Sequence, residues 1–251
     1  MAKPVILVTG LGGLIGSAVR ANLADRFEFR GLGRRPGPAN VPWHAADISD
    51  LDTILPAFDG VDAVVHLAAV VGTNAELDAY VRTNIVGTYN VFEAARRKGV
   101  RRVVYASSGA TIGGVEREEP FRSLVEAREG TIPQVPMLTH ESPVRPSSIY
   151  GCSKIWGEVL ARHYADAHRL SVICLRIGAV NAPDQPRVPR EYSVWCSQRD
   201  VARMIGACLA APASVGFDIF YVTSRNRRGY RDLGHARDVV GWEPLDSADA
   251  H

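Results

Sequence analysis

The sequence predicts an α/β fold in which a doubly wound parallel sheet is covered by helices on both faces. Short continuous apolar runs, such as residues 5–8 and 61–67, are typical of parallel strands that are buried on both sides. A glycine-rich turn follows the first run, and segments with helical spacing, such as residues 76–98, lie between later runs. This alternation of strands and helices favours a parallel sheet.

The composition is that of an ordinary globular protein. The chain has 251 residues, enough for one α/β domain with a substantial core. Apolar residues make up 46% and charged residues 22% of the chain, which excludes a disordered protein. The net charge of +2 does not predict a nucleic-acid partner. The most basic stretch, residues 225–231, contains four arginines, and we interpret it as a solvated or substrate-side loop.

The cysteines and the amino terminus indicate the cellular compartment in which the protein is expected. The four cysteines are far apart and form no CxxC pair, so we expect reduced, packed thiols, no metal site and a cytoplasmic protein. Residues 1–4 lead directly into the first apolar run, which leaves no room for a signal peptide. No apolar run approaches the roughly 20 residues of a membrane helix, so no membrane association is expected.

The turn after the first strand has the spacing of a dinucleotide-binding loop. Gly10 permits a tight turn, Gly13 lets a pyrophosphate approach the backbone, and Gly16 lets the next helix pack on the strand. A helix over residues 17–25 then offers free N–H groups to the phosphates. The pattern predicts a Rossmann-like fold that binds NAD(P). The candidate cofactor residues of this loop are Gly10, Gly13, Leu14, Ile15 and Gly16.

The end of the second predicted strand, residues 27–32, bears on the choice of cofactor. An acidic residue there accepts from the ribose hydroxyl of NAD, whereas an arginine accommodates the 2′-phosphate of NADP. This chain has Arg34 and Arg35 and no acid, so the sequence favours NADP, with NAD as the alternative. The other interpretation is that both arginines are solvated on a surface turn.

Two further segments supply candidate cofactor contacts. Asp47, followed by Ile48, is placed to contact adenine, or alternatively to cap the helix that begins near Asp50. The strand over residues 61–67 ends in Leu67-Ala68-Ala69, where small side chains let a flat cofactor lie close to the backbone.

Two polar residues of the same region are expected to be structural or to lie beside the site. His66 is expected to be packed or hydrogen-bonded rather than catalytic. Asn84 interrupts the helical pattern of residues 76–98. It is expected to contact backbone or water near the cofactor, or simply to be exposed.

Three side chains form a candidate catalytic centre. The strand over residues 102–106 delivers Ser107 and Ser108 to the edge of the sheet where ligands bind. Tyr150 and Lys154 are four residues apart and share one helix face, so a phenol and an ammonium can point into the same cleft. An adjacent cation stabilises the phenolate and brings a pKa of about 10 into the useful range for proton transfer.

Residues 113–146 form a long, proline-rich segment between Ser108 and Tyr150 that is predicted to be irregular. Loops of this length are uncommon in compact domains and are often functional. The segment is interpreted as a lid over the substrate or as an insertion without a role.

With these motifs in order, the chain resembles the extended short-chain dehydrogenase/reductase superfamily, which includes the NAD-dependent epimerases and dehydratases. The resemblance covers nearly the whole chain, ending at Gly241-Trp242-Glu243-Pro244. It implies that Tyr150 exchanges a proton with a substrate hydroxyl while hydride moves to or from C4 of nicotinamide. It also implies that Lys154 lowers the pKa of Tyr150 and holds the nicotinamide ribose, that Ser108 bonds the reacting oxygen, and that Ile177 contacts the cofactor.

Within that superfamily, the stretch from Arg176-Ile177-Gly178 to Ser197 resembles the uronate dehydrogenases, which oxidise C1 of a hexuronic acid to a lactone. The resemblance implies that Arg190 binds the substrate carboxylate, with Arg187 as a nearby competitor. The full set of substrate contacts that it implies is Val71, Ser108, Gly109, Ala110 and Arg190.

The chain also departs from the uronate dehydrogenases. Gly109 and Ala110 stand where those enzymes carry Asn and His, and Ala179 stands where they carry serine. Arg34 and Arg35 replace their acid at the end of the second strand. We therefore expect the catalytic centre to be shared more closely than the substrate.

The sequence thus predicts an NAD(P)-dependent oxidoreductase that acts on a sugar or sugar acid. Residues 1–175 are expected to bind the cofactor, and residues 176–251 to form a small substrate-binding lobe. The alternatives are a nucleotide-sugar 4-epimerase or dehydratase with tightly bound NAD, and a non-enzymatic dinucleotide sensor. In the superfamily the helices that correspond to residues 76–98 and to the one around Tyr150 often pair across a two-fold axis, so the resemblance implies a homodimer.

Overall fold

The fold is a parallel sheet covered by helices. A computed structural model describes residues 2–126 and 134–251. The strands within them are β1 Val5–Thr9, β2 Glu28–Gly33, β3 Trp43–Ala45, β4 Ala63–His66, β5 Arg102–Ser108, β6 Ser171–Ile177 and β7 Phe217–Val222. They form one sheet in the order β3-β2-β1-β4-β5-β6-β7, and every neighbouring pair is parallel. The predicted doubly wound α/β fold is confirmed.

The helices connect successive strands. The α-helices of the described residues are α1 Leu14–Leu23, α2 Leu51–Ile54, α3 Leu77–Tyr80, α4 Gly87–Arg97, α5 Phe121–Glu126, α6 Ile149–His168, α7 Glu191–Val194, α8 Gln198–Ala210 and α9 Gly234–Val240. Short 3₁₀ turns occupy Leu55–Phe58, Gly109–Thr111, Gly113–Arg117 and Ala248–Ala250. None of these helices combines the length and the apolar character needed to cross a bilayer.

The core lies on both faces of the sheet because alternate residues of each strand point to opposite sides. Ile6 and Val8 of β1 belong to one apolar cluster, which includes Ile205 of α8. Leu7 belongs to the other, which includes Phe92 of α4. Burial on both faces explains the continuous apolar runs in the sequence. It leaves the carboxyl ends of the strands as the edge where a ligand can bind.

Two predicted elements differ in the structure. Helix α1 begins at Leu14, three residues before the predicted start, so the glycine loop leads directly into it. The single helix predicted over residues 76–98 consists of α3, a π-helical turn at Val81–Val86 and α4. Asn84 lies in the π turn, where such local distortions often mark functional sites.

The prediction that residues 113–146 are irregular throughout was wrong for their first part. The segment contains a 3₁₀ turn at Gly113–Arg117 and helix α5. Phe121 of α5 packs edge-on against Tyr230, with ring centroids 5.4 Å apart, because the apolar side of this short helix is buried against the carboxyl-terminal lobe. Residues 127–133 lie outside the described part of the chain.

The carboxyl-terminal residues are continuous with the sheet. The expected division at residues 175 and 176 falls within β6, and β7 pairs with β6 along six residues. The separation into a cofactor part and a substrate lobe therefore stays a functional prediction.

Candidate active site

A cavity of about 960 Å³ runs along the carboxyl ends of the strands. It is lined by all of the predicted cofactor residues except Asn84. Val71 and Ser108 of the predicted substrate residues line it as well. Gly109, Ala110 and Arg190 do not belong to its lining.

The glycine loop at one end of the cavity fits the phosphates of a dinucleotide. Gly10 has a φ of +76°, and a Cβ at this position would lie 3.0 Å from the backbone nitrogen of Ala68. A Cβ at Gly16 would lie 2.5 Å from the carbonyl oxygen of Leu11, so only glycine lets α1 pack this closely. Gly13 precedes α1, and no side chain of residues 2–126 or 134–251 caps the helix. The first N–H groups of α1 are therefore available to an anion.

Arg34, Arg35 and Asp47 line the cavity beyond this loop. The Arg34 side chain is 69% exposed, and its Nη1 lies 3.6 Å from Oδ2 of Asp47. Asp47 does not cap the following helix: that cap is Asp50, whose carboxylate accepts from the Thr53 N–H at 3.2 Å. Asp47 instead accepts from the Ser49 N–H at 3.0 Å. Burial raises the pKa of Asp47, but the hydrogen bonds from Ser49 and the charge of Arg34 outweigh it and lower the pKa overall.

The three predicted catalytic residues lie together at the other end of the cavity. Ser108 ends β5, and Tyr150 and Lys154 lie on the first turns of α6. The Ser148 side chain caps α6 by accepting from the Gly151 N–H. A Cβ at Gly151 would lie 2.5 Å from the carbonyl oxygen of Ala110. This close contact fixes the start of α6 against the turn that follows Ser108.

The protonation of this centre differs from the prediction. Lys154 is 3% exposed, its Nζ donates to the Ala106 carbonyl at 2.8 Å, and burial lowers its pKa to about 7. Its Nζ lies 5.7 Å from the centre of the Tyr150 ring. Burial raises the pKa of Tyr150, although hydrogen bonding to Ser108 acts in the opposite direction. The expected lowering of the Tyr150 pKa by Lys154 is therefore not seen, because burial weakens the lysine as a cation and disfavours the phenolate.

Asn84 and His66 are buried beneath the cavity. Asn84 donates to the Val70 carbonyl at 3.0 Å and to Oγ of Ser153 at 2.9 Å, and it accepts from the Val70 N–H at 2.8 Å. It thus joins the loop after β4 to α6. His66 lies 2.7 Å from Oγ1 of Thr9 and 3.1 Å from that of Thr88. Burial lowers the pKa of His66 to about 3, so the ring is neutral and packed.

The predicted substrate residues occupy different environments. Val71 is 71% exposed at the rim of the cavity. The Ala110 N–H donates to Oγ of Ser108 at 3.1 Å. The guanidinium of Arg190 is already held by a carboxylate of this chain, with Nη2 2.8 Å from Oε1 of Glu116. The competing Arg187 donates its backbone N–H to Glu191.

The comparisons with known proteins agree with this geometry. The family model described as NAD dependent epimerase/dehydratase family matches residues 6–241. The chain belongs to the NAD-dependent epimerase/dehydratase family.

Relatives within this family are similar over almost their full length. The chain is 35% identical to an NAD-dependent glucose-6-phosphate dehydrogenase of Haloferax volcanii, across 99% of this chain and 95% of that protein. It is 32% identical to a uronate dehydrogenase of Agrobacterium fabrum, across 98% of this chain and 86% of that protein. The crystal structure of uronate dehydrogenase from Agrobacterium tumefaciens superimposes with a TM-score of 0.84 at 33% identity, covering 100% of this chain and 87% of that one.

These relatives bear on the predicted function. They are nicotinamide-dependent or uronate dehydrogenases, and a UDP-glucose 4-epimerase is a more distant relative. The prediction of an NAD(P)-dependent sugar oxidoreductase from the epimerase/dehydratase family is confirmed at this level.

Sequence reasoning missed several residues of the site. Trp43 lines the cavity, and its ring fills the space where Gly31, Gly33 and Gly37 lack side chains. The clustering of three glycines before one tryptophan was the available signal. Outside the lining of the cavity, Glu116, Tyr230 and Arg231 meet next to Gly109 through tertiary contacts, and no local pattern indicates them. Arg231 is buried, so of the two interpretations of residues 225–231 the solvated loop was wrong for this residue, and the substrate-side loop stays a prediction.

Proposed function

We propose that the protein is an NAD(P)-dependent dehydrogenase that oxidises a hydroxyl group of a sugar or sugar acid. The observation that carries this proposal is the convergence of Ser108, Tyr150 and Lys154 on the cavity that the glycine loop closes at its other end. A tyrosine that can ionise and a serine hydroxyl beside a dinucleotide cleft suit the removal of a proton from an alcohol, because the phenolate accepts the proton. The sugar dehydrogenases among the relatives support the same reaction class.

In this reaction each residue of the site would have a separate role. A bound dinucleotide supplies the hydride acceptor at its nicotinamide ring. Tyr150 in its phenolate form takes the proton of the substrate hydroxyl, and Ser108 orients that hydroxyl from the end of β5. Lys154 is fixed by the Ala106 carbonyl beneath Tyr150, where it stabilises the phenolate whenever it is charged. The free N–H groups of α1 hold the phosphates.

The direct test is the absorbance of reduced nicotinamide when the purified protein meets NAD or NADP with a panel of uronates, aldoses and sugar phosphates. We expect the absorbance of reduced nicotinamide to increase with at least one sugar of the panel. A protein that carries bound NAD through purification and converts nucleotide sugars without net reduction would instead support a 4-epimerase.

We further propose that Arg34 and Arg35 favour NADP over NAD. Both guanidiniums line the cofactor cavity, and Arg34 is exposed and only loosely paired with Asp47. A planar guanidinium suits a 2′-phosphate. Arg34→Ala combined with Arg35→Ala should therefore weaken NADP binding at least about tenfold, a loss near 1.4 kcal/mol, and NAD binding much less. Fluorescence titration with both cofactors measures this, and equal losses would contradict the proposal.

We also propose a homodimer in the cytoplasm. Large apolar side chains are exposed on neighbouring helices: Tyr89 of α4 is 43% exposed, and Ile149 and Val159 of α6 are 54% and 63% exposed. A second copy packed on these helices would remove this surface from water. The free cysteines, three of them buried, suit a reducing compartment. Light scattering measures the assembly, and cell fractionation measures the location.

A further inference from the structure

An arginine with unsatisfied donors lies beside the catalytic serine. The Arg231 side chain is 1% exposed. Its Nε and Nη1 are buried and have no hydrogen-bond partner among the described residues. Its Nη2 lies 3.4 Å from the hydroxyl of Tyr230. Leaving such donors unpaired in the interior is costly, so their burial calls for a ligand or a compensating role.

The position of this guanidinium depends on the residue after Ser108. A Cβ at Gly109 would lie 2.4 Å from Nη1 and 2.6 Å from Cζ of Arg231. The guanidinium therefore occupies the space that a side chain at residue 109 would fill. It approaches the turn after Ser108 from the carboxyl-terminal part of the chain, where the Leu138 N–H donates to the Tyr230 carbonyl.

The charges around Arg231 do not balance. Within the described part of the chain, Glu116 is the carboxylate in ion-pair contact with both Arg190 and Arg231. Its oxygens are already engaged by the guanidinium of Arg190 and the hydroxyl of Tyr230, and Nη2 of Arg231 lies 3.8 Å away. One carboxylate therefore faces two guanidiniums: the Arg190 side chain is 43% exposed, whereas that of Arg231 is buried against the rings of Tyr221 and Tyr230.

We propose that Arg231 is the residue that binds an anionic group of the substrate, a carboxylate or a phosphate, beside Ser108. This rests on the dehydrogenase function proposed above and names its substrate class. The donors are closed to bulk water, and under this proposal their partner is the anionic group of the bound substrate. Arg190 supports the subsite through Glu116. The absence of side-chain donors at Gly109 and Ala110 is then compensated by a guanidinium fork, which suits anionic oxygens.

The first test compares sugars that share a ring and differ in charge. Wild-type protein, Arg231→Met, Arg231→Lys and the control Arg237→Met are assayed with glucuronate, glucose 6-phosphate and glucose. Arg237 is an exposed arginine of α9 that pairs with its neighbour Asp238. Arg231→Met should lower the ratio of kcat/KM for the preferred anionic sugar over glucose at least about tenfold, mainly through KM. The ratio for Arg231→Lys should lie between those of the wild type and Arg231→Met, and Arg237→Met should keep the wild-type ratio.

The second test separates binding from packing without using turnover. Glucuronate or glucose 6-phosphate should raise the Tm of the wild type, and this rise should vanish in Arg231→Met. In the absence of ligand, the Tm of Arg231→Met should equal or exceed that of the wild type, because a buried charge that shares its one carboxylate with Arg190 is removed. The ligand that raises the Tm, glucuronate or glucose 6-phosphate, identifies the anionic group as a carboxylate or a phosphate.

The outcomes distinguish this subsite from the proposed function. An unchanged ratio of anionic to neutral turnover, or a Tm of ligand-free Arg231→Met below that of the wild type, would assign Arg231 to packing and overturn the subsite. Turnover of glucose alone would overturn the subsite and leave the dehydrogenase in place. No turnover of any sugar, with anion stabilisation that depends on Arg231, would keep the subsite and reject the dehydrogenase. Neither turnover nor stabilisation would reject both.

Discussion

At the scale of single residues, burial sets the chemistry of the catalytic centre. Lys154 has a pKa of about 7 because it is enclosed by the sheet and α6, and Tyr150 has a raised pKa for the same reason. Spacing alone predicted that a phenol and an ammonium share a face. It could not predict how far each would be withdrawn from water, because that depends on β5 and the turn after Ser108.

The burial of Lys154 should make the free energy of unfolding of the protein depend on pH. An unfolded lysine has a pKa of about 10.4, so between about pH 7 and pH 9 the unfolded chain binds more protons at this residue. Its contribution therefore makes the free energy of unfolding rise with pH. We expect this rise to be smaller in Lys154→Met by roughly 2 kcal/mol, as measured by urea denaturation at both pH values.

Lys3→Met provides the control for this effect, because Lys3 is exposed and donates to the Ala24 carbonyl at the surface. It should leave the pH dependence of stability as in the wild type. An equal pH dependence in Lys154→Met and the wild type would show that Lys154 is not withdrawn from water.

At the scale of elements, α6 holds the site together. Tyr150, Lys154 and Glu158 follow one another at four-residue intervals and share a face. Glu158 forms a buried ion pair with Arg176 of β6, at 2.8 Å, and accepts from the hydroxyl of Ser107. Burial raises the cost of this ion pair, but hydrogen bonds from Arg176 and Ser107 satisfy it.

Glu158→Gln should reduce the free energy of unfolding by about 3 kcal/mol or more, because it leaves the Arg176 guanidinium buried without its counter-charge. Asp166→Asn breaks an exposed ion pair with Arg162 on the same helix and should cost less than about 1 kcal/mol. Urea denaturation of both variants provides the comparison. Similar losses in the two variants would mean that the buried pair does not anchor α6.

Some helices and strands could be predicted from the sequence, and others could not. Helix α1 and strand β1 were predicted because glycine spacing and apolar runs are local signals. The π turn at Val81–Val86 was not, since it depends on contacts of Asn84 with Val70 and Ser153, which lie 14 and 69 residues away. Helix α5 was missed because proline and charge dominate its surroundings, while its apolar side gains its partner, Tyr230, only in the folded chain.

At the scale of the whole molecule, the parallel sheet assembles the site. Strands β1, β4, β5 and β6 deliver the glycine loop, Leu67, Ser108 and Ile177 to one edge, where their residues line a single cavity. This arrangement was predictable because carboxyl ends of parallel strands meet. The contacts of Glu116 with Arg190 and Arg231 were not predictable, because these residues come from three distant segments.

The exposed apolar side of α6 leads to a prediction about assembly. Val159→Glu places a charge where a second copy would pack, and it should shift the mass measured by light scattering from dimer to monomer. Arg162→Glu, which changes a charged and exposed position of the same helix, serves as the control and should stay dimeric. A monomeric wild type, or a dimer that tolerates Val159→Glu, would contradict the proposed homodimer.

The central claim is that Tyr150 carries the proton transfer of a sugar dehydrogenase. Its most direct test compares the rate of nicotinamide reduction by the wild type, Tyr150→Phe and Tyr164→Phe. Tyr164→Phe is the control, because it removes a hydroxyl further along α6 that contacts Glu93 and does not line the cavity. We predict that Tyr150→Phe loses at least about a hundredfold in kcat while still binding the dinucleotide, and that Tyr164→Phe keeps most of its kcat. Retention of most of the activity in Tyr150→Phe would contradict the account.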